Sequence, residues 1–311
     1  CMVTSGPGAT NTVTPVRDCM ADSVPIIVIC GQVPTTNIGT DAFQEAPVSS
    51  TLGSVAKHVF LITKPEQLEA TVRTAFEIAR SGRPGPVVID IPKDIQNWEG
   101  TFAGAGTLPV PGFRQRISAI ENNLLEDHES EAFFELLSQS ERPLIYAGGG
   151  VINAEASQAL RRFAQQFKIP VVTTLMGIGA ADTTESLCLH MLGMHGTAYA
   201  NYAVEDCDFL IALGARFDDR VAGLPEKFAP RAKNIAHFDI DSSEIGKVKA
   251  VDWHHVGLLK RDLETLCQFG ERRNIVRSEG VWHAEIAALK DTYALNYDRT
   301  SDTIQPCAVI E

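Results

Sequence analysis

Short apolar runs that stop abruptly at a glycine or an acid constrain this chain more than any other feature. The clearest occupy 25–30, 87–92, 143–147, 169–174, 209–213 and 235–240. Runs of this length, bounded by turn residues, read as strands buried on both faces. Helical spacing fills the intervals. After Lys64-Pro65-Glu66, the apolar positions Leu68, Val72, Ala75, Phe76 and Ala79 recur as on one helix face, through Arg80. Strands that alternate with helices predict an α/β fold with parallel, doubly wound sheets. A further strand is read at 1–4, turning at Ser5-Gly6-Pro7-Gly8, with Thr10 or Asn11 capping a helix that runs toward Asp22.

The rhythm breaks at 99–125, where glycine, proline and polar residues dominate and predict a linker. A second α/β unit follows at 126–270, with helices predicted at 126–140 and 154–167. From 271 to 311 the pattern is polar and helical, as in a connector. With 311 residues, 44% of them hydrophobic, each of two domains can bury a core. A formal charge of −12 argues against a nucleic-acid or anionic-membrane surface. The seven cysteines form no CxxC pair, which favours reduced thiols over disulfides or zinc. No apolar run approaches membrane-spanning length and no secretory signal is visible. The chain opens without an initiator Met in what reads as a strand, and closes on a helix just begun after Pro306. Both ends lead to the expectation of an internal piece of a longer protein.

Open α/β sheets place their chemistry beyond the carboxyl ends of their strands. After the run at 25–30 and Pro34 comes Gly39-Thr40-Asp41-Ala42-Phe43-Gln44-Glu45, which combines two acids, an aromatic ring and an amide. The plain alternative is an ordinary strand-to-helix connection with Asp41 as a cap. Gly148-Gly149-Gly150 lets a phosphate or ribose approach the backbone, or is simply a tight turn. In Gly214-Ala215-Arg216-Phe217-Asp218-Asp219-Arg220, the two arginines can hold phosphates by forked hydrogen bonds; the alternative is a solvated charge cluster. Asp239 or Asp241 can accept ribose hydroxyls or cap the segment Ser242-Ser243-Glu244. Leu192-Gly193-Met194-His195-Gly196 suits a flat ring lying on Met and His, although a lone His is often structural. Lys57 and Lys93 read alone as surface charges.

These strings, in this order, resemble the catalytic subunit of the acetohydroxyacid synthases, also called acetolactate synthases. The resemblance rests on TSGPGATN (4–11), GQVP (31–34), GTDAFQE (39–45), SGRPGPV (81–87), PKDIQ (92–96), the GGG turn, TLMG (174–177), LGMHG (192–196), RFDDR (216–220) and DIDS (239–242). It implies the thiamine-diphosphate-enzyme fold: the C-terminal part of a pyrimidine-binding domain at 1–98, and a central Rossmann-like, FAD-binding domain at 126–270. The segment 271–311 would lead to a diphosphate-binding domain outside the chain. It also implies joining the two-carbon unit of decarboxylated pyruvate to a second 2-ketoacid, early in branched-chain amino-acid synthesis. Thiamine diphosphate, Mg2+ and a redox-silent FAD are the implied cofactors. The implied partners are small 2-ketoacids, further copies in a dimer or tetramer, and a small regulatory subunit. The implied location is cytoplasmic, or organellar stroma in a eukaryote.

Carried over by position, Phe43 and Gln44 stand near the thiazolium and substrate. Ser23, Pro34, Lys57 and Lys93 line the substrate channel. Arg83 matches a flavin-binding arginine. Other flavin contacts match Gly148, Gly149, Gly150, Thr174, Leu175, Leu192, Gly193, Met194, His195, Gly214, Ala215, Arg216, Phe217, Asp218, Arg220, Asp239 and Ile240. No metal ligand is assigned within the chain. The glutamate that activates the cofactor lies upstream of TSGPGATN in this family, and the Gly-Asp-Gly metal motif lies downstream. The isolated chain is therefore expected to be inactive. Three positions depart from the pattern: Leu258 where an acid is common, Thr36 where arginine is common, and Cys307 where glutamine is common. Two other readings remain at this point, another thiamine-diphosphate carboligase or lyase and a catalytically silent FAD-binding assembly module.

Overall fold

The structure, a computed structural model, describes residues 1–102, 104, 106–296, 299–300 and 302–310. Parts of the expected linker and connector, at 103, 105, 297, 298, 301 and 311, lie outside the described residues. The chain divides into two compact units: Cys1–Leu124 with Val256–Leu258, and Leu125–His255 with Leu259–Glu311.

The first unit holds β1 (Met2–Val3), β2 (Ile27–Gln32), β3 (His58–Leu61) and β4 (Val87–Pro92), in the order β1-β2-β4-β3. All neighbouring pairs are parallel, and β2 and β4 run in register from Ile27↔Val87 to Gln32↔Pro92. Alternation sends Val87, Ile89 and Ile91 into one core layer and Val88 into the other, with Val28 and Cys30. That is why these runs are apolar, Asp90 apart. The helix Leu68–Arg80 buries Thr71, Thr74, Ala75, Ile78 and Ala79. Phe76, expected on that face, is 54% exposed, because 3.6-residue periodicity carries it to the rim of the buried stripe.

The segment expected as a linker carries the helix Phe113–Asn122. Phe113 is buried in the first unit's core, and Val110 and Ile117 pack against the same cluster.

Asp90 is the anomaly of this core. It lies on β4, 2% exposed, with Cys30 as its register partner on β2. Its Oδ2 accepts a hydrogen bond from Gln32 Nε2 at 3.1 Å, while Oδ1 has no partner among the described residues. Burial pushes its carboxyl up to about 6, against a weaker opposing pull from the Gln32 bond. A carboxyl raised on folding is best tolerated protonated, so stability is lost as pH rises from about 4 through 6. Asp90→Asn keeps an acceptor for Gln32 and removes the titration. Between pH 4 and 7 the variant should gain roughly 2–3 kcal/mol relative to the parent protein. Urea unfolding at several pH values measures this; parallel pH profiles would sink it.

The second unit holds β5 (Pro143–Ala147), β6 (Val171–Thr173), β7 (Cys188–Met191), β8 (Phe209–Leu213), β9 (Asn234–Asp239) and β10 (Trp253–Val256). Their order is β10-β9-β8-β5-β6-β7. The pairs β5–β6, β5–β8, β6–β7 and β8–β9 are parallel. The chain starts at the central β5, steps outward through β6 and β7, then returns to the other side of β5 with β8. The reversal between β5 and β8 is the switch point at which doubly wound sheets open a ligand crevice.

One face of this sheet packs Ile145, Phe209, Ile211 and Phe238 against the helices Ser157–Phe167 and Leu259–Arg272. Phe133, fully buried, is its hub, with ring centroids 5.4–6.1 Å from Phe134, Phe163, Phe209, Phe238 and Trp253. The other face packs Leu144, Tyr146, Leu210 and Ala212 against the helix Ala198–Asp206. Within the expected connector, the helix Val281–Thr292 docks on this face. Its Trp282 is buried and donates Nε1–H to the Pro143 carbonyl at 3.1 Å. Among the described residues no helix is long and apolar enough to cross a membrane.

Candidate cofactor and substrate sites

In the first unit, neighbouring parallel strands β1, β2 and β4 deliver the loops that follow them to one edge. The loop after β2 displays Phe43, 89% exposed, beside an exposed Gln44. Its backbone is unusual. Gly39, Asp41 and Gln44 have φ of 84°, 58° and 62°. Positive φ at non-glycine residues is sparsely populated and persists where surroundings enforce it.

Three contacts enforce it. Glu45 folds back, its carboxylate accepting hydrogen bonds from the Gly39 amide at 2.5 Å and the Ala42 amide at 3.2 Å. Gln32, at the end of β2, donates to the Ala46 carbonyl at 2.9 Å and to Asp90. Gly6 lies under Gln44, so closely that a Cβ at Gly6 would sit 2.7 Å from the Gln44 carbonyl oxygen. The β1 turn and the β2 loop thus support each other.

A second clasp joins the loops after β2 and β4. Asp94 accepts from the Thr35 amide at 2.9 Å and from its hydroxyl at 2.6 Å. This fixes half-buried Pro34 near the short helix Lys93–Gln96, whose first residue, Lys93, is exposed.

The other expected first-unit residues have work elsewhere. The Lys57 ammonium donates to the Ile78 and Ser81 carbonyls at 2.5 and 2.6 Å, at the carboxyl end of the helix Leu68–Arg80. Arg83 Nε donates to Ser23 Oγ at 3.0 Å, and its guanidinium reaches the Met20 and Ala21 carbonyls at 3.4 Å. Both cations thus complement helix C-termini.

In the second unit, the glycine motifs meet one another. A Cβ on Gly148 would fall 2.2 Å from the Gly214 carbonyl oxygen, and one on Gly150 would fall 2.6 Å from Gly214 Cα. A Cβ on Gly149 would meet Met176 at 2.9 Å, and one on Gly177 would meet the Ala147 carbonyl oxygen at 2.4 Å. Hydrogen bonds from the Gly148 amide to Leu213 (2.9 Å) and from the Gly150 amide to Gly214 (3.0 Å) seal the junction. These glycines let main chain from β5, β6 and β8 close over the switch point. These contacts make the GGG string a tight turn, a geometry compatible with a ligand approaching its outer side.

Around that junction lie exposed apolar side chains: Leu175 at 68%, Met176 at 46%, Ile178 at 56% and Met194 at 75%. His195 is also exposed. The Arg216 guanidinium makes no hydrogen bond among the described residues and only a loose pairing with Asp218 at 3.9 Å. A cleft of ≈ 330 Å³ brings Gly193 and Met194 together with Arg220 and Lys227.

Other expected contacts are turned inward. Leu192, Ala215 and Phe217 are core residues, so any ligand would meet their backbone. Thr174, Asp218 and Asp241 cap the turns that follow them by accepting from Gly177, Arg220 and Ser243 amides. The carboxylate of Asp239 accepts the Asp241 amide at 2.9 Å. Ile240 is half-buried beside it. Among the described residues no group of three His, Cys, Asp or Glu side chains is arranged to hold a metal ion.

Sequence comparison gives this geometry its class. The family model "Thiamine pyrophosphate enzyme, central domain" matches residues 130–266, and "Thiamine pyrophosphate enzyme, N-terminal TPP binding domain" matches residues 1–52. With two parallel α/β sheets in this order, the chain has the fold of two domains of the thiamine pyrophosphate enzymes. The similarity is finer than that. Acetolactate synthase 2, chloroplastic, of Nicotiana tabacum is 45% identical over 100% of this chain and 46% of its own length. The acetolactate synthase large subunits of Parasynechococcus marenigrum and Corynebacterium glutamicum are 44% and 42% identical, each over 100% of this chain and 49% of their own length. The chain is thus similar along its whole length to acetolactate synthases, and it spans about half the length of the curated relatives it matches.

Proposed function

We propose that the chain is the part of an acetolactate synthase that carries the Phe43–Gln44 substrate loop and a flavin-binding central domain. The observation that carries this reading is the identity of 42–45% along the whole chain to proteins of that name. In the proposed reaction one pyruvate loses CO2. Its two-carbon unit joins the keto carbon of a second pyruvate or of 2-ketobutyrate, giving 2-acetolactate or 2-aceto-2-hydroxybutyrate for branched-chain amino-acid synthesis.

When bound, thiamine diphosphate supplies the thiazolium that stabilises negative charge on the transferred unit, with Mg2+ holding its diphosphate. The residues present supply the surroundings. Phe43 stands clear of its own unit and can exclude water from the reacting carbon. The Gln44 amide can donate to a ketoacid oxygen. Lys93 offers an exposed cation to an anionic substrate, and Pro34 is fixed beside it by the Thr35–Asp94 clasp. Lys57 is held on helix carbonyls and contributes field, while Ser23 orients Arg83.

FAD suits the second unit. The available guanidinium of Arg216, with Arg220 in the adjoining cleft, fits a diphosphate. Leu175, Met176 and Met194 offer apolar surface to a flat ring. Further copies of the protein would complete the active site, a small regulatory subunit would bind outside it, and the location would be cytoplasm or organellar stroma.

Arg216→Ala in the longer protein should weaken flavin binding about tenfold or more, the effect of losing one charged hydrogen bond. Flavin absorbance retained through gel filtration reads this, and unchanged retention counts against the assignment. Given pyruvate, thiamine diphosphate, Mg2+ and FAD, the longer protein should form acetolactate and this chain alone should not. A different product would favour another carboligase, and an inactive protein that keeps flavin would favour the assembly module.

A further inference from the structure

The most strained loop in the first unit is closed by a side chain that none of the site assignments uses. Glu45 is the last residue of the loop whose tip carries Phe43 and Gln44. Its carboxylate turns away from the exposed tip and toward the amides of the loop's own start, Gly39 and Ala42. The Gly39 amide above all holds this carboxyl below the usual carboxylate range; burial opposes it, and the amides of Ala42, Thr40 and Asp41 add to the lowering. Between the two ends of this bridge the chain passes Asp41 and Gln44 in left-handed conformation. The Glu45 amide in turn donates to the Ala42 carbonyl at 2.9 Å. Just outside, Gln32 anchors Ala46. The loop is thus tied across its neck by the Glu45 carboxylate and to the sheet by Gln32, while the turn at its tip is closed by the main-chain bond from Glu45 to Ala42.

We propose that Glu45 is a positioning residue, whose carboxylate clasps the neck of the 39–45 loop and thereby fixes Phe43 and Gln44 for the reaction. It touches neither substrate nor cofactor. The proposal rests on the functional reading above. Removing the clasp leaves the core intact, because Glu45 is only half-buried and outside every core cluster. It frees the tip to leave a conformation that Asp41 and Gln44 do not favour by themselves.

Two measurements test it separately. In the 311-residue chain, hydrogen exchange at the amides of 39–42 should quicken about tenfold in Glu45→Ala, while the unfolding midpoint stays essentially unchanged. Glu45→Gln, which keeps a neutral acceptor, should restore part of the protection. In the longer protein, Glu45→Ala should lower kcat for acetolactate formation roughly 10–100-fold with little change in KM for pyruvate, since misplacing a group acts on the transition state. Combined with Phe43→Ala, it should add little to the loss that Phe43→Ala causes alone. Unchanged exchange, additive losses, or full activity of Phe43→Ala would each overturn the proposal. A longer protein that is inactive without any substitution would overturn the functional reading, and exchange would still decide whether the clasp exists.

Discussion

Gly148→Ala is expected to remove roughly 3–5 kcal/mol from the stability of the second unit and, on the function proposed above, to abolish flavin binding. The reason is space rather than backbone freedom, for Gly148 has an ordinary φ of −102°. The new methyl group would lie 2.2 Å from the Gly214 carbonyl oxygen and 2.6 Å from Ala215 Cα. Neither neighbour is the end of a flexible side chain. Either β5 or β8 must retreat, and the hydrogen bonds Gly148→Leu213 and Gly150→Gly214 go with it. Gly280→Ala is the control. Nothing lies within 4 Å of the added atom, and a loss under about 1 kcal/mol is expected at this helix N-cap. Chemical unfolding followed through Trp253 and Trp282 separates the two; equal small losses would show that the junction yields.

Phe133→Ala should be comparably severe, with a loss of about 3–5 kcal/mol. The side chain is fully buried and touches rings from β8, β9, β10 and two helices. Its removal leaves a cavity whose walls are other aromatic rings, which cannot collapse without leaving their own contacts. Against a typical total of about 5–15 kcal/mol, the second unit should unfold well before the first. Phe133→Leu should recover more than half of the loss. A change below about 1 kcal/mol for the alanine variant would show that the neighbouring rings close the gap.

Central strands were legible because burial on two faces requires a nearly continuous apolar run. Val87–Pro92, Pro143–Ala147 and Phe209–Leu213 stand where that pattern puts them. His58–Leu61, Cys188–Met191 and Trp253–Val256 escaped it. Each lies at the edge of its sheet, where a strand is short and mixes polar with apolar residues. The helix Phe113–Asn122 escaped because the glycines and prolines before it masked its few core contacts.

The strand-end motifs were legible as places but not as roles. Lys57 reaches Ile78 and Ser81, Arg83 reaches Ser23, and Gly6 supports Gln44. Such pairings join residues far apart in sequence, and no local spacing encodes them. Glu45 is different: its partners lie three and six positions back, so the acid closing its own seven-residue motif was a signal available in the string itself.

The glycine junction has a thermodynamic consequence for whatever binds above it. A floor built from main chain has no rotamers to freeze, so a ligand settling there meets no side-chain ordering penalty from that surface. For the flavin site proposed above, the ordering would fall instead on the rim, on the long side chains of Arg216, Met176 and Met194. Differences in affinity among ligands of one shape should therefore appear mainly in the entropy of those three side chains, while the floor contributes a nearly constant enthalpy.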